Sequence, residues 1–137
     1  MRTLHVGLRV SDLERSLAFY TAVGYAVIGT VEGTPFGSLT MLQLPGDDHV
    51  TIELVHDPAQ GDVGPGLGIN HLVLQVDSLD AARAELAARG IEPGEVEYPG
   101  GAAGPATCWI TDPDGYRIEV VQWPQGHADG ITSADFT

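Results

Sequence analysis

The sequence predicts an α+β fold built from two tandem βαβββ modules whose strands form curved mixed sheets. Two observations lead to this prediction. The chain repeats itself at an offset of 66 residues, which aligns His5 with His71 and Glu53 with Glu119. Each half also opens with an alternating, strand-like pattern that is followed by a helical pattern. A tandem duplication of one small unit therefore accounts for most of the chain.

Each half begins with a strand and continues with a helix. Residues 4–10 and 70–76 alternate in polarity, which is typical of a strand with one buried face. Ser11 and Glu14 form a capping-box pattern at the start of the first helix, and Gly24 is expected to end it.

The second half repeats these signals and adds three shorter strands, as the first half does. Its helix is predicted to begin at Asp77 or Ser78 and to end at Gly90. The shorter strands are predicted near residues 26–31, 38–44 and 50–56 in the first half, and near residues 94–98, 106–111 and 116–123 in the second.

These elements predict a domain organisation of four parts. Residues 1–60 form the first module, residues 61–68 a linker, residues 69–123 the second module and residues 124–137 a C-terminal tail. The linker lies in a stretch rich in Gly, Pro and Asp, residues 57–68, which joins the two halves. The tail is polar and has no periodicity, so we expect it to lie over the surface or to fray.

Composition and charge exclude several classes of function. No apolar run approaches the roughly 20 residues that span a bilayer, and the N-terminal residues lack the pattern of a secretory signal, so we expect a cytoplasmic protein. The net charge is −13, with six arginines and no lysine. Such a charge repels phosphate backbones and anionic lipids, which argues against nucleic acid or membranes as partners.

The repeated His and Glu residues predict a metal site. Glu53 lies 48 residues after His5, and Glu119 lies 48 residues after His71. Alternation puts each acid on the strand face opposite its aliphatic neighbours, toward the concave side of a curved sheet. Two imidazoles and two carboxylates suit a first-row divalent ion with open positions, and nickel, cobalt, zinc and manganese all fit. A strand histidine held by a core hydrogen bond is the alternative.

Such a metal would act as a Lewis acid on substrate oxygens and stabilise an enediolate, while Glu119 or Glu53 moves a proton between adjacent carbons. Arg117 lies on the Glu119 face and could add a positive charge for the substrate.

Four segments resemble a known family: the opening MRTLHVGLRVSDLERSLAFY, TIEL at 51–54, GINHLVL at 68–74 and DPDGYRIE at 112–119. They are similar to the short bacterial glyoxalase I enzymes of the vicinal oxygen chelate superfamily, which also includes bleomycin resistance proteins and dioxygenases. The resemblance implies a lyase that acts on the adduct of a 2-oxoaldehyde with a thiol.

The resemblance also implies roles for individual residues. His5, Glu53, His71 and Glu119 match the four metal ligands, Glu119 matches the proton-moving base with Glu53 as its counterpart, and Arg9 matches an arginine that holds glutathione. Nickel or cobalt is favoured by the chain length, and zinc is an alternative. The family's cup-shaped sites form between halves of two subunits, so a homodimer is implied.

Alternatives remain open within this superfamily. The loop at residues 100–105 lacks the lysine that the family often carries, which leaves the thiol open. An acyl-CoA epimerase usually has Gln in place of Glu53. A protein that binds an antibiotic or another small molecule would use the same cups, lined by Phe36, Tyr98 or Trp109, without a metal.

Overall fold

A computed structural model describes residues 1–136 and divides the chain into two compact units. The first unit comprises Met1–Ile69 together with Asp112–Tyr116, and the second comprises Asn70–Thr111 together with the residues from Arg117 onward. The short segment Asp112–Tyr116 therefore belongs with the first half of the sequence, although it lies late in the second.

The first unit contains a mixed four-stranded sheet with the order β1-β4-β3-β2. Strand β1 (Val6–Arg9) runs parallel to β4 (Ile52–His56). Strand β3 (Gly37–Gln43) runs antiparallel to both β4 and β2 (Ala26–Thr34). Parallel strands need a crossover, and the chain between β1 and β4 supplies one that contains a helix and a hairpin.

The predicted first helix forms as α1 (Leu13–Val23), but its N-cap is not the predicted Ser11. Asp12, not Ser11, is the N-cap, and its carboxylate accepts a hydrogen bond from the Arg15 backbone at 3.0 Å. The Ser11 hydroxyl is engaged elsewhere, because it accepts a hydrogen bond from the Val63 backbone at 2.8 Å. Gly24 ends the helix with φ 129°, a conformation that favours glycine.

The second unit contains a three-stranded sheet with the order β5-β7-β6. Strand β5 (Leu72–Gln75) is parallel to β7 (Arg117–Gln122), and β6 (Ala106–Thr111) is antiparallel to β7. Helix α2 (Leu79–Ala88) is capped by Ser78, whose hydroxyl accepts a hydrogen bond from the Ala81 backbone, as one of the two predicted caps requires.

The strand predicted near residues 94–98 does not form. Only an isolated bridge joins Glu97 to Thr107 there, with one further backbone hydrogen bond from Gly94 to Trp109 at 2.9 Å. Pro93 and Pro99 flank this segment, and proline cannot donate to a strand ladder. The second sheet is therefore one strand smaller than the first.

The α+β fold of two duplicated modules with mixed sheets is confirmed. The aliphatic faces predicted for the Glu-bearing strands are buried, because Ile52, Leu54, Ile118 and Val120 are all at most 3% exposed. Within residues 1–136, the helices are too short and too polar to cross a bilayer.

Candidate metal centre

The first sheet brings His5 and Glu53 together. His5 directly precedes β1, and Glu53 pairs in register with Gly7 on the neighbouring strand β4. The His5 Nε2 atom lies 3.1 Å from a Glu53 carboxylate oxygen. Gly7 has no side chain, and a Cβ there would lie 3.7 Å from the other Glu53 oxygen. The glycine therefore keeps the space beside the carboxylate open.

The second sheet repeats this pair with His71 and Glu119. Glu119 pairs in register with Val73 of β5, and the His71 Nε2 atom lies 3.4 Å from a Glu119 oxygen. The other ring nitrogen of His71 lies 2.6 Å from the Asn70 side-chain oxygen. If Nδ1–H donates to this oxygen, Nε2 is the nitrogen that would bind a metal ion.

The two pairs fit the requirements of adjacent metal ligands. Two donors held about 2.1 Å from one metal lie about 3.0 to 3.4 Å apart, for octahedral and tetrahedral angles respectively. The observed separations of 3.1 and 3.4 Å lie in this range, and the shorter one is also that of a hydrogen bond between His5 and Glu53. The His5 and His71 side chains are 35% and 32% exposed, so both can be reached from solvent. The donor set therefore suits a divalent ion.

Within one chain the four predicted ligands form two pairs, His5 with Glu53 and His71 with Glu119. Among residues 1–136, no group of three or more His, Cys, Asp and Glu side chains could hold a metal ion. Each pair is thus half of the predicted quartet.

The two predicted substrate-binding arginines have different surroundings. Arg9 lies in β1 and donates a hydrogen bond to the Gln60 side chain at 2.6 Å. Arg117 begins β7, and its guanidinium carbon lies 4.1 Å above the centre of the Trp109 ring. Neither contact is visible in the sequence, because Gln60 and Trp109 approach only through the folding of each unit.

A buried polar cluster holds the turn that precedes β7. The Tyr20 hydroxyl donates a 2.8 Å hydrogen bond to the Asp112 carboxylate, and the backbone amides of Asp114 and Tyr116 donate to its other oxygen at 2.9 Å. Burial raises the pKa of Asp112, while these three hydrogen bonds oppose the rise. Burial and the neighbouring Asp112 also raise the pKa of Tyr20. Asp112 therefore holds the turn that joins β6 to β7 in sequence.

A second anchor of this turn involves Asp114, whose carboxylate accepts hydrogen bonds from the Ser11 backbone and the Arg15 guanidinium, both at 3.1 Å. The Tyr116 hydroxyl donates to the Arg9 carbonyl at 2.9 Å. The sequence indicated only a turn here. The pairing of Tyr20 with Asp112 spans 92 residues and could not be found from local patterns.

The tail folds back onto the end of β5. Gln75, on the same face of β5 as Val73, donates to the Asp129 carboxylate at 2.6 Å and accepts from the Trp123 indole at 2.9 Å and the Gly130 amide at 3.0 Å. The tail therefore has a defined position, since the Gln75 side chain binds two of its residues, Asp129 and Gly130, and also Trp123 just before it.

The chain thus has a duplicated βαβββ-type fold with one His–Glu pair on each sheet. The chain belongs to the Glyoxalase/Bleomycin resistance protein/Dioxygenase superfamily, which it matches over residues 2–120. The family resemblance seen in the sequence is thus confirmed.

Relatives and solved structures place the chain within this superfamily. It is 37% identical to a probable lactoylglutathione lyase of Vibrio cholerae, over 93% of this chain and 94% of that one. It is 33% identical to a lactoylglutathione lyase of Escherichia coli O157:H7, over 89% and 93% of the two chains. The crystal structure of TnmS3, an antibiotic binding protein from a Streptomyces species, is similar with a TM-score of 0.69 and 25% identity, covering 90% of this chain and 97% of that one. The two lyases support the prediction of a glyoxalase I-like enzyme.

Proposed function

We propose that the chain is a metal-dependent glyoxalase-type lyase that converts the adduct of a 2-oxoaldehyde and a small thiol into a 2-hydroxyacyl thioester. The observation that carries the proposal is the matched geometry of the two His–Glu pairs, which suits one divalent ion. The similarity to two lactoylglutathione lyases supports the choice of reaction. Nickel or cobalt is the favoured metal, and zinc is the alternative.

The metal site requires all four ligands, so we propose a homodimer with two sites. In each site, His5 and Glu53 of one subunit would share a metal with a His71–Glu119 pair supplied by the other copy. Each pair already holds its two donors at a ligand-like separation, which means that binding would not require the side chains within a pair to rearrange.

When bound, the metal would supply Lewis-acid stabilisation of negative charge on the substrate oxygens. Glu119 acts as the base: its carboxylate takes the proton from the carbon that bears the sulfur and returns it to the neighbouring carbonyl carbon, while the hydroxyl proton on the first carbon passes to the oxygen of the second. The reaction is an isomerisation, so it needs no oxidant or reductant. Glu53 is the symmetry-related carboxylate, and Arg9 and Arg117 are the cations available to the substrate.

The direct test is thioester formation by purified protein loaded with nickel, cobalt or zinc. Methylglyoxal would be offered with glutathione and, separately, with other low-molecular-weight thiols. We expect turnover with at least one combination. Loss of general acid–base catalysis in Glu119→Gln should lower kcat by about 100-fold or more.

Glu92→Gln is the matched control, because Glu92 is an exposed acid on the loop that follows α2. We expect this variant to keep the wild-type rate. An unchanged rate in Glu119→Gln would remove Glu119 as the base, and no turnover with any metal and thiol would exclude the proposed reaction.

The similarity to TnmS3 favours a second candidate function, the binding of an antibiotic or another aromatic small molecule. Exposed aromatic side chains are available for it, since Phe36 is 58% and Tyr98 is 55% exposed. Elemental analysis of protein purified without a chelator separates the two functions. A protein that holds no stoichiometric metal, and gains no thermal stability from any metal, would be the binder. Either function suits the cytoplasmic location that we propose.

A further inference from the structure

Two side chains, Trp109 and Arg117, share one face of the second sheet with the His71–Glu119 pair. Trp109 of β6 pairs in register with Glu119 of β7, so both side chains point to the same face. The Trp109 ring meets the His71 ring edge-on, with 5.1 Å between the ring centres. On the same face, Arg117 lies over the Trp109 ring at 4.1 Å. We call Trp109 and Arg117 together the Trp109–Arg117 stack.

The Arg117 guanidinium is available for an anion. Three of the other arginines are occupied: Arg9 donates to Gln60, Arg15 to Asp114 and Arg83 to the Gly94 carbonyl. No carboxylate within residues 1–136 forms an ion pair with Arg117. The Arg117 side chain is exposed. Among the described residues it lacks an acidic partner, even though the chain carries a net charge of −13.

The stacking on Trp109 determines which part of the Arg117 guanidinium can bind an anion. The indole covers one face of the guanidinium, which leaves the N–H groups at its edge to bind a planar carboxylate. Arg117 and Glu119 are two residues apart on one strand, so their Cα atoms lie about 7 Å apart. An anion bound to Arg117 would therefore lie within a few carbon–carbon bonds of the carbon that Glu119 deprotonates.

We infer that the Trp109–Arg117 stack selects 2-oxoaldehyde adducts whose acyl part ends in a carboxylate. The inference rests on the proposed function, because it names the substrate class of the same site. The short distance from Glu119 assigns the anion to the aldehyde-derived part of the adduct, not to the remote end of a peptide thiol. Arg117 is the binding group, and Trp109 is a positioning residue that acts through it.

The first test compares two aldehydes of equal chain length with the thiol that supports turnover. One is 4,5-dioxopentanoate, which ends in a carboxylate, and the other is the neutral 2-oxopentanal. Wild-type protein should favour the carboxylate adduct by about 10-fold or more in kcat/KM, the range of one charge-assisted hydrogen-bonded pair. Arg117→Gln should bring this ratio close to one, and Arg117→Lys should retain part of it.

Two further variants make the ratio specific to the stack. Arg2→Gln removes one positive charge from an exposed residue of the first unit and should leave the ratio unchanged. Trp109→Leu should lower the ratio, while Trp109→Phe, which keeps an aromatic face, should restore most of it. Equal ratios in wild type and Arg117→Gln would overturn the inference.

A second test needs neither metal nor turnover. In a Trp123→Phe background Trp109 is the one remaining tryptophan, since the chain has two. Addition of 4-oxopentanoate, a carboxylate that lacks the aldehyde, should change Trp109 fluorescence in a saturable way, and neutral 2-pentanone should not. The response should be lost in Arg117→Gln. A response of equal size to the neutral ketone, or one that persists in Arg117→Gln, would contradict the inference.

The two tests distinguish the two proposals. If no adduct is turned over, the proposed function fails, and the fluorescence titration still decides whether Arg117 binds carboxylates. In the other case methylglyoxal is turned over, but the kcat/KM values of the two adducts are equal and 4-oxopentanoate leaves Trp109 fluorescence unchanged. The glyoxalase function then stands, and the inferred selection by the Trp109–Arg117 stack is wrong.

Discussion

Replacement of Tyr20 by phenylalanine tests the buried cluster that holds the turn at Asp112. Tyr20 is fully buried, and its hydroxyl donates to the buried Asp112 at 2.8 Å. The ring of Tyr20→Phe keeps its packing, but one carboxylate oxygen of Asp112 loses its donor. A hydrogen bond to a charged group contributes about 1.5–3 kcal/mol, so the free energy of unfolding should fall by about that amount.

Urea denaturation at a fixed protein concentration measures this change. With a slope of about 2 kcal/mol per molar urea, the midpoint should fall by about 1 M. Tyr98→Phe is the matched control, because Tyr98 is 55% exposed and the same chemical change there should cost less than about 0.5 kcal/mol.

The effect of Tyr20→Phe should also depend on pH. Burial already raises the pKa of Asp112 in the folded state above its ordinary value of 3.8, and loss of the Tyr20 donor raises it further. A raised folded-state pKa means that stability is lost as the pH rises through it. The variant should therefore be more destabilised near neutral pH than below the ordinary value. A loss no larger than that of Tyr98→Phe, or a loss that grows on acidification, would refute the role of this cluster.

Two other predictions concern the β2–β3 hairpin and the tail. Gly37→Ala should lower the free energy of unfolding by about 2 kcal/mol or more, because φ is 102° and a Cβ would overlap the His56 carbonyl oxygen. Thermal or urea unfolding measures this change, and Gly29→Ala, which has open space around it, is the control that should change the stability little. Hydrogen bonds to the Ala128 carbonyl and to the Asp135 carboxylate, which lies 2.7 Å from His127 Nε2, raise the pKa of His127, so the tail should lose order as the pH rises above 6.5. The hydrogen-exchange protection factor of the Gly130 amide should fall over that range, and a constant factor would contradict the prediction.

The pairing within each half-site could be predicted from the sequence because it depends on local rules. Equal spacing placed each His and Glu in equivalent strands, and alternation placed Glu53 and Glu119 on one face. The structure brings each acid within 3.4 Å of its histidine. No sequence pattern shows how two such pairs would come to share a metal, since the proposed site takes one pair from each of two copies of the chain.

The details that the sequence does not predict depend on long-range contacts. Ser11 has the residue type of a helix cap, but its hydroxyl binds Val63, 52 residues away, and Asp12 takes the cap. The polar composition of the tail predicts that it lies on the surface or frays. It does not show that Gln75 holds the tail, through a contact that spans 54 residues to Asp129. Local propensity cannot resolve such competition between a nearby and a distant partner.

Metal stoichiometry tests the central claim most directly. Protein purified without a chelator and titrated with nickel, cobalt or zinc should bind one divalent ion per chain. Glu53→Gln and Glu119→Gln should each weaken binding strongly, because each removes one of four ligands, while Glu92→Gln should bind as wild type does. A chain that binds no divalent metal, or that binds it equally well in all three variants, would contradict the assignment of His5, Glu53, His71 and Glu119 as a shared metal site.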